Sequence, residues 1–237
     1  MAQISIVIPA KNEVHRLPQF LRILISFCQK STHHYEIIIV DDGSRDSTAS
    51  EAATFQKIFS SLQVISLDRN YGKGFAVKTG ILAAQGEYVL FLDADGSTGP
   101  EEIERHFYLF DQGYDVIIGS RILEDEHSRV QALVYRRWIG AVFNFFVHRL
   151  LIKDIQDTQC GFKMFRANVG RSISEKLKLK GFGFDLEMLY LAQKMNCRIK
   201  EVPVNWKHVH GSKIHFIKDS VYMLLNIFQI RHWYRSR

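Results

Sequence analysis

Short apolar runs rich in β-branched residues alternate with longer segments of helical periodicity through the first half of the chain. The apolar runs predict buried strands at 4–8, 36–40, 63–67, 88–92 and 115–119, and the segments between them predict helices at about 16–29, 46–60, 73–85 and 100–112. Strands joined through helices pair in parallel and need cover on both faces. The pattern therefore predicts an α/β fold, in which a mostly parallel sheet is flanked by helices.

After residue 122 the pattern changes to two basic amphipathic segments. In residues 129–153, polar positions recur at every fourth residue from Arg136 to His148 beside a wide apolar face, and no acidic residue is present. Residues 216–230 show a similar stripe, and a basic, aromatic tail follows. Apolar faces bordered by basic residues suit the headgroup boundary, so both segments predict amphipathic membrane-surface helices. Packing on the domain or in a homo-oligomer is the alternative.

The 237 residues carry a formal net charge of +6, with 46% apolar and 24% charged residues. This composition excludes disorder, and the charge favours an anionic partner such as a nucleotide or a lipid headgroup. The cations lie beside apolar faces and not among aromatic residues of an exposed strand, which argues against nucleic acid. Three cysteines without metal-site spacing indicate a reduced compartment. With no signal peptide and no run of roughly 20 apolar residues, we expect peripheral binding at the cytoplasmic face of a membrane.

Two aspartates separated by one residue, Asp93 and Asp95, follow directly on the apolar run at 88–92. Polar clusters follow the other predicted strands too, and the carboxyl ends of parallel strands converge on one rim, where ligands bind. Mg²⁺ and Mn²⁺ are commonly held by one or two carboxylates together with phosphate oxygens of a substrate. The pair therefore predicts a metal site that faces a diphosphate, although turns and helix caps also use aspartates in this spacing.

Three further clusters at strand ends fit a phosphorylated ligand. The Gly-Lys-Gly turn at 72–74 opens a predicted helix, and its backbone amides and lysine head suit phosphate. Asp41 and Asp42 form a vicinal pair whose mutual repulsion is easier to explain if donors of a ligand meet them. The segment 9–13 ends the first strand with groups that can satisfy a nucleoside. A tight turn and helix capping are the alternative readings of the first two clusters.

Six motifs occur in the order found in family-2 inverting glycosyltransferases: Ile8-Pro9-Ala10-Lys11-Asn12-Glu13, Val40-Asp41-Asp42-Gly43-Ser44, Asn70-Tyr71-Gly72-Lys73-Gly74, Asp93-Ala94-Asp95-Gly96, Gly119-Ser120-Arg121 and Asp157-Thr158-Gln159-Cys160-Gly161-Phe162-Lys163. From residue 4 to about residue 230 the chain resembles the polyprenyl-phosphate branch of this family. The last motif is most similar to that of the dolichyl-phosphate β-glucosyltransferases.

The resemblance implies a GT-A type nucleotide-sugar fold. Residues 1–122 would be the nucleotide-sugar-binding part, 123–215 the acceptor-binding part of the same domain, and 216–237 the C-terminal amphipathic helix and basic tail. The residues implied to hold the nucleotide sugar are Pro9, Ala10, Asn12, Glu13, Asp41, Asp42, Lys73, Asp93, Ala94 and Asp95. Asp95, together with Asp93, would bind Mg²⁺ or Mn²⁺. Ser97 stands where some related synthases add a third ligand.

The implied reaction is inverting transfer of a hexose, most simply glucose from UDP-glucose, to a polyprenyl (dolichyl or undecaprenyl) phosphate. Negative charge builds on the departing diphosphate, so the metal would act mainly as a Lewis acid. The acceptor phosphate is already anionic, which weakens the need for a base, and Asp157 is the candidate for a base or an acceptor-orienting group. Cations and donors for the acceptor phosphate are expected from Arg121, Arg129, Arg136, Ser212 and Lys213. The expected catalytic group is thus Asp93, Asp95, Asp157 and Arg121.

Two other functions fit the same residues. A GDP-mannose-dependent polyprenyl-phosphate mannosyltransferase would share the diphosphate machinery, because the choice of base depends on small contacts that the motifs leave open. A non-catalytic module that binds a sugar nucleotide or a lipid would have no need for a complete metal site. The presence of both Asp93 and Asp95 argues against such a module.

Overall fold

The computed structural model describes residues 3–126, 130–131, 147–209 and 216–235. The strands are β1 (Ile4–Ala10), β2 (Tyr35–Asp41), β3 (Leu62–Ser66), β4 (Tyr88–Leu92), β5 (Val116–Ser120), β6 (Val130–Gln131), β7 (Phe162–Arg166), β8 (Ile199–Pro203) and β9 (Trp206–Lys207). Seven of them form one sheet in the order β3-β2-β1-β4-β7-β5-β8. Neighbours are parallel except at β7, which runs antiparallel to both β4 and β5.

Helices cover both faces of this sheet. They are α1 (Leu17–Lys30), α2 (Thr48–Thr54), α3 (Lys73–Ala83), α4 (Glu101–Phe107), the described part of α5 at 147–150, α6 (Ala167–Lys176), α7 (Phe184–Lys194) and α8 (Phe216–Tyr234). Single turns of 3-10 helix at Phe55–Lys57 and Tyr108–Phe110 extend α2 and α4. Within the described residues, no helix combines the length and the apolar character that crossing a bilayer requires.

Alternate residues of β1 serve two separate cores. Ile6 and Ile8 pack in the core that contains the apolar face of α1, whereas Val7 packs in the core that contains α3 and α7. All three side chains are completely buried. Because both faces are covered, the central strands have nearly continuous apolar sequences, interrupted by Ser5 in β1 and Lys163 in β7, and show no regular alternation of polar and apolar residues.

The five strands and four helices expected in the first half are confirmed, with every strand end within two residues of its predicted position. The predicted mostly parallel α/β sheet is confirmed as well. The strands are short apolar runs of five to seven residues, whereas the helices come from longer segments with one buried side, so length and pattern together distinguish the two.

The predicted basic helix at 129–153 is wrong at its start. Val130 and Gln131 form β6, which pairs in parallel with Trp206 and Lys207 of β9. In β6 the backbone N–H and C=O groups pair with β9, whereas in a helix they would pair with residues of the same segment. Local periodicity does not predict this pairing, because β9 is distant in the sequence. The described residues 147–150 are helical, whereas residues 151–153 form a turn and a bend, so the predicted helix is also wrong at its end. Residues 132–146 of the predicted helix lie outside the described residues.

The predicted C-terminal helix is confirmed and continues to Tyr234 as α8. Met223, Ile227 and Ile230 are buried in the core that contains α7. The side chains of Tyr222, Leu225 and Phe228 are 56%, 54% and 60% exposed. The helix thus packs on the domain and also presents an apolar outer face, for which membrane contact stays a prediction.

Candidate active site

The polar clusters predicted at the strand ends lie on one rim of the sheet. The antiparallel strand β7 starts where β4 ends, since Phe162 pairs with Leu92. The loop before β7 therefore reaches the same rim and brings Asp157 against Arg121 and Gly161 against Asp93. Sequence order alone did not indicate this meeting, because it depends on the reversed direction of a single strand.

Two of the residues expected to hold the nucleoside, Asn12 and Asp41, line an open cleft of about 540 Å³. Its lining residues come from the loops after β1, β2 and β3 and are Lys11, Asn12, Asp41, Gly43, Ser44, Arg45, Leu67, Asp68, Arg69 and Asn70. The Oδ1 atom of Asn12 accepts a hydrogen bond from the Arg45 backbone N–H at 2.8 Å, and the Asn12 N–H donates to Ser44 Oγ at 2.8 Å. Asp41 accepts from the backbone N–H of Ser44 at 3.2 Å and from its hydroxyl. These bonds give the cleft a fixed polar wall.

Pro9 and Ala10 form the buried end of β1 and are not among the residues that line the cleft. The Ala10 carbonyl accepts a hydrogen bond from the Asp42 N–H at 2.8 Å. The Asp42 carboxylate is directed away from the cleft and accepts from the backbone N–H groups of Tyr71 and Gly72, at 2.7 and 2.9 Å. Asp42 thus holds the Gly-Lys-Gly turn, a contact that the sequence did not indicate.

Glu13 is buried and forms an ion pair with Arg16, whose Nε lies 2.6 Å from Glu13 Oε2. The guanidinium of Arg16 also comes within 3.8 Å of Asp95 Oδ2. Burial would lower the pKa of Arg16, but the Glu13 and Asp95 charges outweigh it and raise that pKa. Arg16 therefore brings a positive charge to the rim. The sequence did not predict a role for Arg16. The one signal for it is its position three residues after Glu13, a spacing that allows an ion pair.

Asp93 directly follows β4 and lies next to the Gly-Lys-Gly turn. Its Oδ1 atom is 2.6 Å from Lys73 Nζ, and its side chain is 31% exposed. Burial alone would raise the pKa of Asp93, but the charges of Lys73, Lys163 and Arg121 lower it below the ordinary value. Asp93 is therefore an anion that faces the lysine of the Gly-Lys-Gly turn.

Asp95 lies two residues further on, in a turn whose Gly96 has φ +68°. Its Oδ1 atom accepts from the Ser97 backbone N–H at 3.0 Å, and its side chain is 26% exposed. Burial and the adjacent charge of Asp93 raise the pKa of Asp95. A cation placed between the two carboxylates would offset the charge of Asp93 and so would stabilise the ionised form of Asp95.

The two carboxylates fit a hard divalent cation that shares its coordination with a diphosphate. Both reach solvent at the rim, and oxygen ligands suit Mg²⁺ and Mn²⁺. Among the described residues, no cluster of three or more His, Cys, Asp or Glu side chains is arranged to hold a metal ion. Asp93 and Asp95 could therefore contribute two ligands, and phosphate oxygens of a donor would have to complete the site.

Arg121 and Asp157 form a second charged pair on the rim. Arg121 Nε and Nη2 donate to the two carboxylate oxygens of Asp157 at 2.7 and 2.9 Å. Asp157 is buried, and its backbone N–H donates to Glu201 Oε1 at 2.7 Å. Burial would raise the pKa of Asp157, but the charge and hydrogen bonds of Arg121 lower it. The arrangement suits orientation of Arg121 better than proton transfer by Asp157.

A third pair, Lys163 and Asp185, lies beneath the rim and was not predicted. Lys163 is completely buried, and its Nζ donates to Asp185 Oδ1 at 2.6 Å and to the Cys160 carbonyl at 2.8 Å. Burial raises the pKa of the Cys160 thiol to about 12, so this cysteine stays protonated. The sequence did not predict this ion pair, because Lys163 lies in the apolar run of β7 between two phenylalanines and its partner is on a different element.

Four of the expected acceptor-phosphate residues lie outside the described residues. They are Arg129, Arg136, Ser212 and Lys213. The fifth, Arg121, lies on the rim with its guanidinium carbon 5.7 Å from the ring centre of Trp206. The structure thus brings together the predicted donor and metal residues with Arg121 and Asp157.

Comparison with known proteins agrees with this arrangement. The model of glycosyl transferase family 2 matches residues 5–173. The dolichyl-phosphate beta-glucosyltransferase of Dictyostelium discoideum is 39% identical over 245 residues, which cover 98% of this chain and 74% of the relative. The Homo sapiens protein of that name is 34% identical over 229 residues, covering 90% and 69%.

Similar solved structures agree on the fold. Glucosyl-3-phosphoglycerate synthase from Mycobacterium tuberculosis in complex with phosphoglyceric acid has a TM-score of 0.73 at 16% identity, covering 97% of this chain and 80% of that chain. Its complex with Mn²⁺, UDP-glucose and phosphoglyceric acid has a TM-score of 0.72 at 17% identity, covering 97% and 79%. The sheet is of the GT-A type that the motifs implied. Taken with the matched family model and the relatives that span nearly the whole chain, these observations show that the chain belongs to glycosyltransferase family 2.

Proposed function

We propose that this chain transfers glucose from UDP-glucose, with inversion, to dolichyl phosphate or a similar polyprenyl phosphate. The observation that carries the proposal is the adjacency of Asp93 and Asp95 to Lys73 and Arg16 on one rim. Two anions that can hold a divalent ion, next to cations that can meet a diphosphate, form the set of groups that departure of UDP requires. The similarity to dolichyl-phosphate beta-glucosyltransferases supports the choice of donor and acceptor.

The nucleoside would lie in the cleft formed by the loops after β1, β2 and β3. Asn12 and Asp41 offer an amide and a carboxylate there, and Lys73 offers a positive head toward the diphosphate. Asp93 and Asp95 would hold Mg²⁺ or Mn²⁺ between themselves and that diphosphate. When bound, such an ion stabilises the negative charge that develops on the leaving phosphate. The presence of Mn²⁺ with UDP-glucose in the structural relative supports this assignment.

The acceptor phosphate would meet Arg121. Its side chain is 34% exposed, while Asp157 holds two of its nitrogens in place. Because a phosphate oxygen is already anionic, it can attack the sugar without losing a proton to the protein. A lowered pKa for Asp157 and its engagement by Arg121 support an orienting role in this step.

A polyprenyl acceptor resides in a membrane, so the protein must reach a membrane surface. The exposed apolar face of α8, formed by Tyr222, Leu225 and Phe228, supports contact of this kind. Arg231 and Arg235, at the C-terminal end of this helix, are exposed cations that suit anionic headgroups. We place the chain on the cytoplasmic face, where nucleotide sugars would reach the cleft.

The test is glucose transfer from radiolabelled UDP-glucose to a polyprenyl phosphate in detergent, with Mn²⁺ or a chelator. We expect a metal-dependent glycolipid and release of UDP, and we expect Asp95→Asn to abolish both. Asp111→Asn, which alters an exposed aspartate in a turn, is the matched control. Turnover of GDP-mannose in preference to UDP-glucose would assign the mannosyl reaction, and full activity of Asp95→Ala would contradict the proposal.

A further inference from the structure

Glu187 in α7 is a completely buried carboxylate that joins two distant segments. Its oxygens accept hydrogen bonds from the backbone N–H groups of Lys178 and Leu179, at 3.0 and 2.7 Å. The hydroxyl of Tyr234, at the end of α8, lies 2.7 Å from Glu187 Oε1 and 2.7 Å from the Lys176 carbonyl. Burial and the hydrogen bond to Glu187 raise the pKa of Tyr234, so the hydroxyl keeps its proton. Glu187 thus fixes the loop at 177–183 and the end of α8 together.

The same loop contacts the Gly-Lys-Gly turn. The Lys180 carbonyl accepts a hydrogen bond from the Phe75 N–H at 3.2 Å. A Cβ atom at Gly72 would lie 2.4 Å from that carbonyl oxygen, and Gly72 has φ +107°, so only glycine permits this approach. On its other side Gly72 donates its N–H to Asp42 at 2.9 Å. The turn is therefore held between Asp42 and the loop at 177–183.

Lys73 follows Gly72 directly and places its Nζ 2.6 Å from Asp93. A shift of the loop at 177–183 would disturb the turn at Gly72, because the Lys180 carbonyl packs closely on Gly72 and accepts the hydrogen bond from Phe75 in the first turn of α3. A shift of Gly72 would move Lys73 away from Asp93 and from a bound diphosphate. The contacts thus run without interruption from the end of α8 to the rim.

We propose that Glu187 and Tyr234 are positioning residues for the donor site, acting through the loop at 177–183 on Lys73. This inference rests on the proposed function, in which Lys73 binds the diphosphate of the donor. It also links donor binding to the seating of α8, the helix that bears the exposed apolar face. Neither residue touches the cleft itself, so both act on affinity for the donor and not on the reacting atoms.

The test is titration of the full chain with UDP, with and without Mn²⁺, by calorimetry. Glu187→Gln replaces one carboxylate oxygen by an NH₂ group that faces backbone donors, and we expect it to weaken UDP binding by about tenfold. Tyr234→Phe removes the hydroxyl that lies 2.7 Å from both Glu187 Oε1 and the Lys176 carbonyl, and we expect a loss of about threefold. Tyr114→Phe removes a tyrosine hydroxyl from the opposite side of the sheet and should bind UDP as the parent chain does.

Steady-state kinetics separate positioning from a general loss of stability. We expect the KM for UDP-glucose to rise by the same factors, while the KM for the polyprenyl phosphate stays unchanged. Binding of UDP by both variants within about twofold of the parent chain, or a parallel rise in both KM values, would overturn the inference. If Glu187→Gln does not fold, Tyr234→Phe decides the matter alone. Failure of the parent chain to bind UDP would instead sink the proposed function.

Discussion

Arg121 donates three hydrogen bonds to the carboxylate of Asp157, from its backbone N–H at 2.9 Å, from Nε at 2.7 Å and from Nη2 at 2.9 Å. The carboxylate is 5% exposed and the arginine side chain is 34% exposed. The negative charge of Asp157 is therefore buried, and the positive charge of Arg121 is accessible at the site. Charged hydrogen bonds of this kind also fix the plane of the guanidinium, which a lone arginine on a loop would not keep.

Arg121→Lys should therefore impair use of the acceptor more than use of the donor. Lysine cannot form the forked contact with Asp157, so its head would not be held toward the acceptor phosphate. We expect the KM for polyprenyl phosphate to rise by about tenfold or more, with little change in UDP affinity. Initial rates at varied acceptor concentration measure this effect. Arg22→Lys, on the exposed side of α1, is the control, and an unchanged acceptor KM in Arg121→Lys would contradict the assignment.

The pair should also shape the acid dependence of stability. The folded-state pKa of Asp157 is lowered, so its contribution is fully present above the ordinary pKa of about 3.9 and is lost as the pH falls through the folded-state pKa. Asp157→Asn should be less stable than the parent chain near neutral pH, and the difference should shrink below about pH 4. Urea unfolding at a series of pH values measures the gap. A gap that stays constant down to about pH 3 would argue against the ion pair.

The buried pair of Lys163 and Asp185 should be intolerant of single substitution. Lys163→Met leaves the Asp185 carboxylate buried without its cation, and we expect a loss of about 3 to 5 kcal/mol in the free energy of unfolding. Lys163→Met combined with Asp185→Leu removes both charges and should recover most of that loss. Urea denaturation of the single and double variants measures both values. Equal instability of the two variants would show that packing and not charge is at issue.

Gly161 should tolerate no side chain, because a Cβ atom there would lie 2.1 Å from Asp93 Oδ2. Gly161→Ala should displace the Asp93 carboxylate and lower affinity for Mn²⁺ in the presence of UDP by about tenfold or more. Ser60→Ala, in the exposed turn before β3 and at the end of that strand opposite the rim, is the control. Calorimetric titration with Mn²⁺ compares the two. If Gly161→Ala bound Mn²⁺ as tightly as the parent chain, Asp93 would not be a ligand of the metal.

The outer face of α8 should determine membrane binding. Leu225→Ser combined with Phe228→Ser removes two exposed apolar side chains and should weaken binding to vesicles that contain anionic lipid by about tenfold or more. Ile23→Ser with Ile58→Ser alters two exposed apolar residues elsewhere and should bind as the parent chain does. Vesicle co-sedimentation measures both. Activity on acceptor dissolved in detergent should survive in either double variant, and parental vesicle binding of the α8 variant would refute membrane contact through this face.

Much of the donor side was predictable because it depends on local sequence. Each motif residue from Asn12 to Asp95 follows a strand whose direction is set by a crossover helix, so its place on the rim follows from the strand order alone. Polar pairs at such positions indicate ligands before any contact is known. For Asp42 this reasoning did not predict the contact that is observed, because its carboxylate binds the backbone of the Gly-Lys-Gly turn and does not face the cleft.

Contacts between residues far apart in the chain were not predictable in this way. Arg16 beside Asp95, Lys163 beside Asp185 and Tyr234 beside Glu187 join elements that no local period relates. The start of the basic segment at Val130 was mistaken for a helix for the same reason, since its partner strand lies more than seventy residues away.

Residue periodicity and strand-end chemistry were enough to establish the α/β sheet, the rim and the acidic pair of this family-2 glycosyltransferase, because burial on two faces and crossover geometry act through neighbouring residues. The ionisation of that pair, the engagement of Asp157 by Arg121 and the link from α8 to Lys73 required the folded chain. These depend on distances between side chains brought together by the antiparallel strand β7 and by the packing of α7 and α8, and electrostatic energy is decided by such distances.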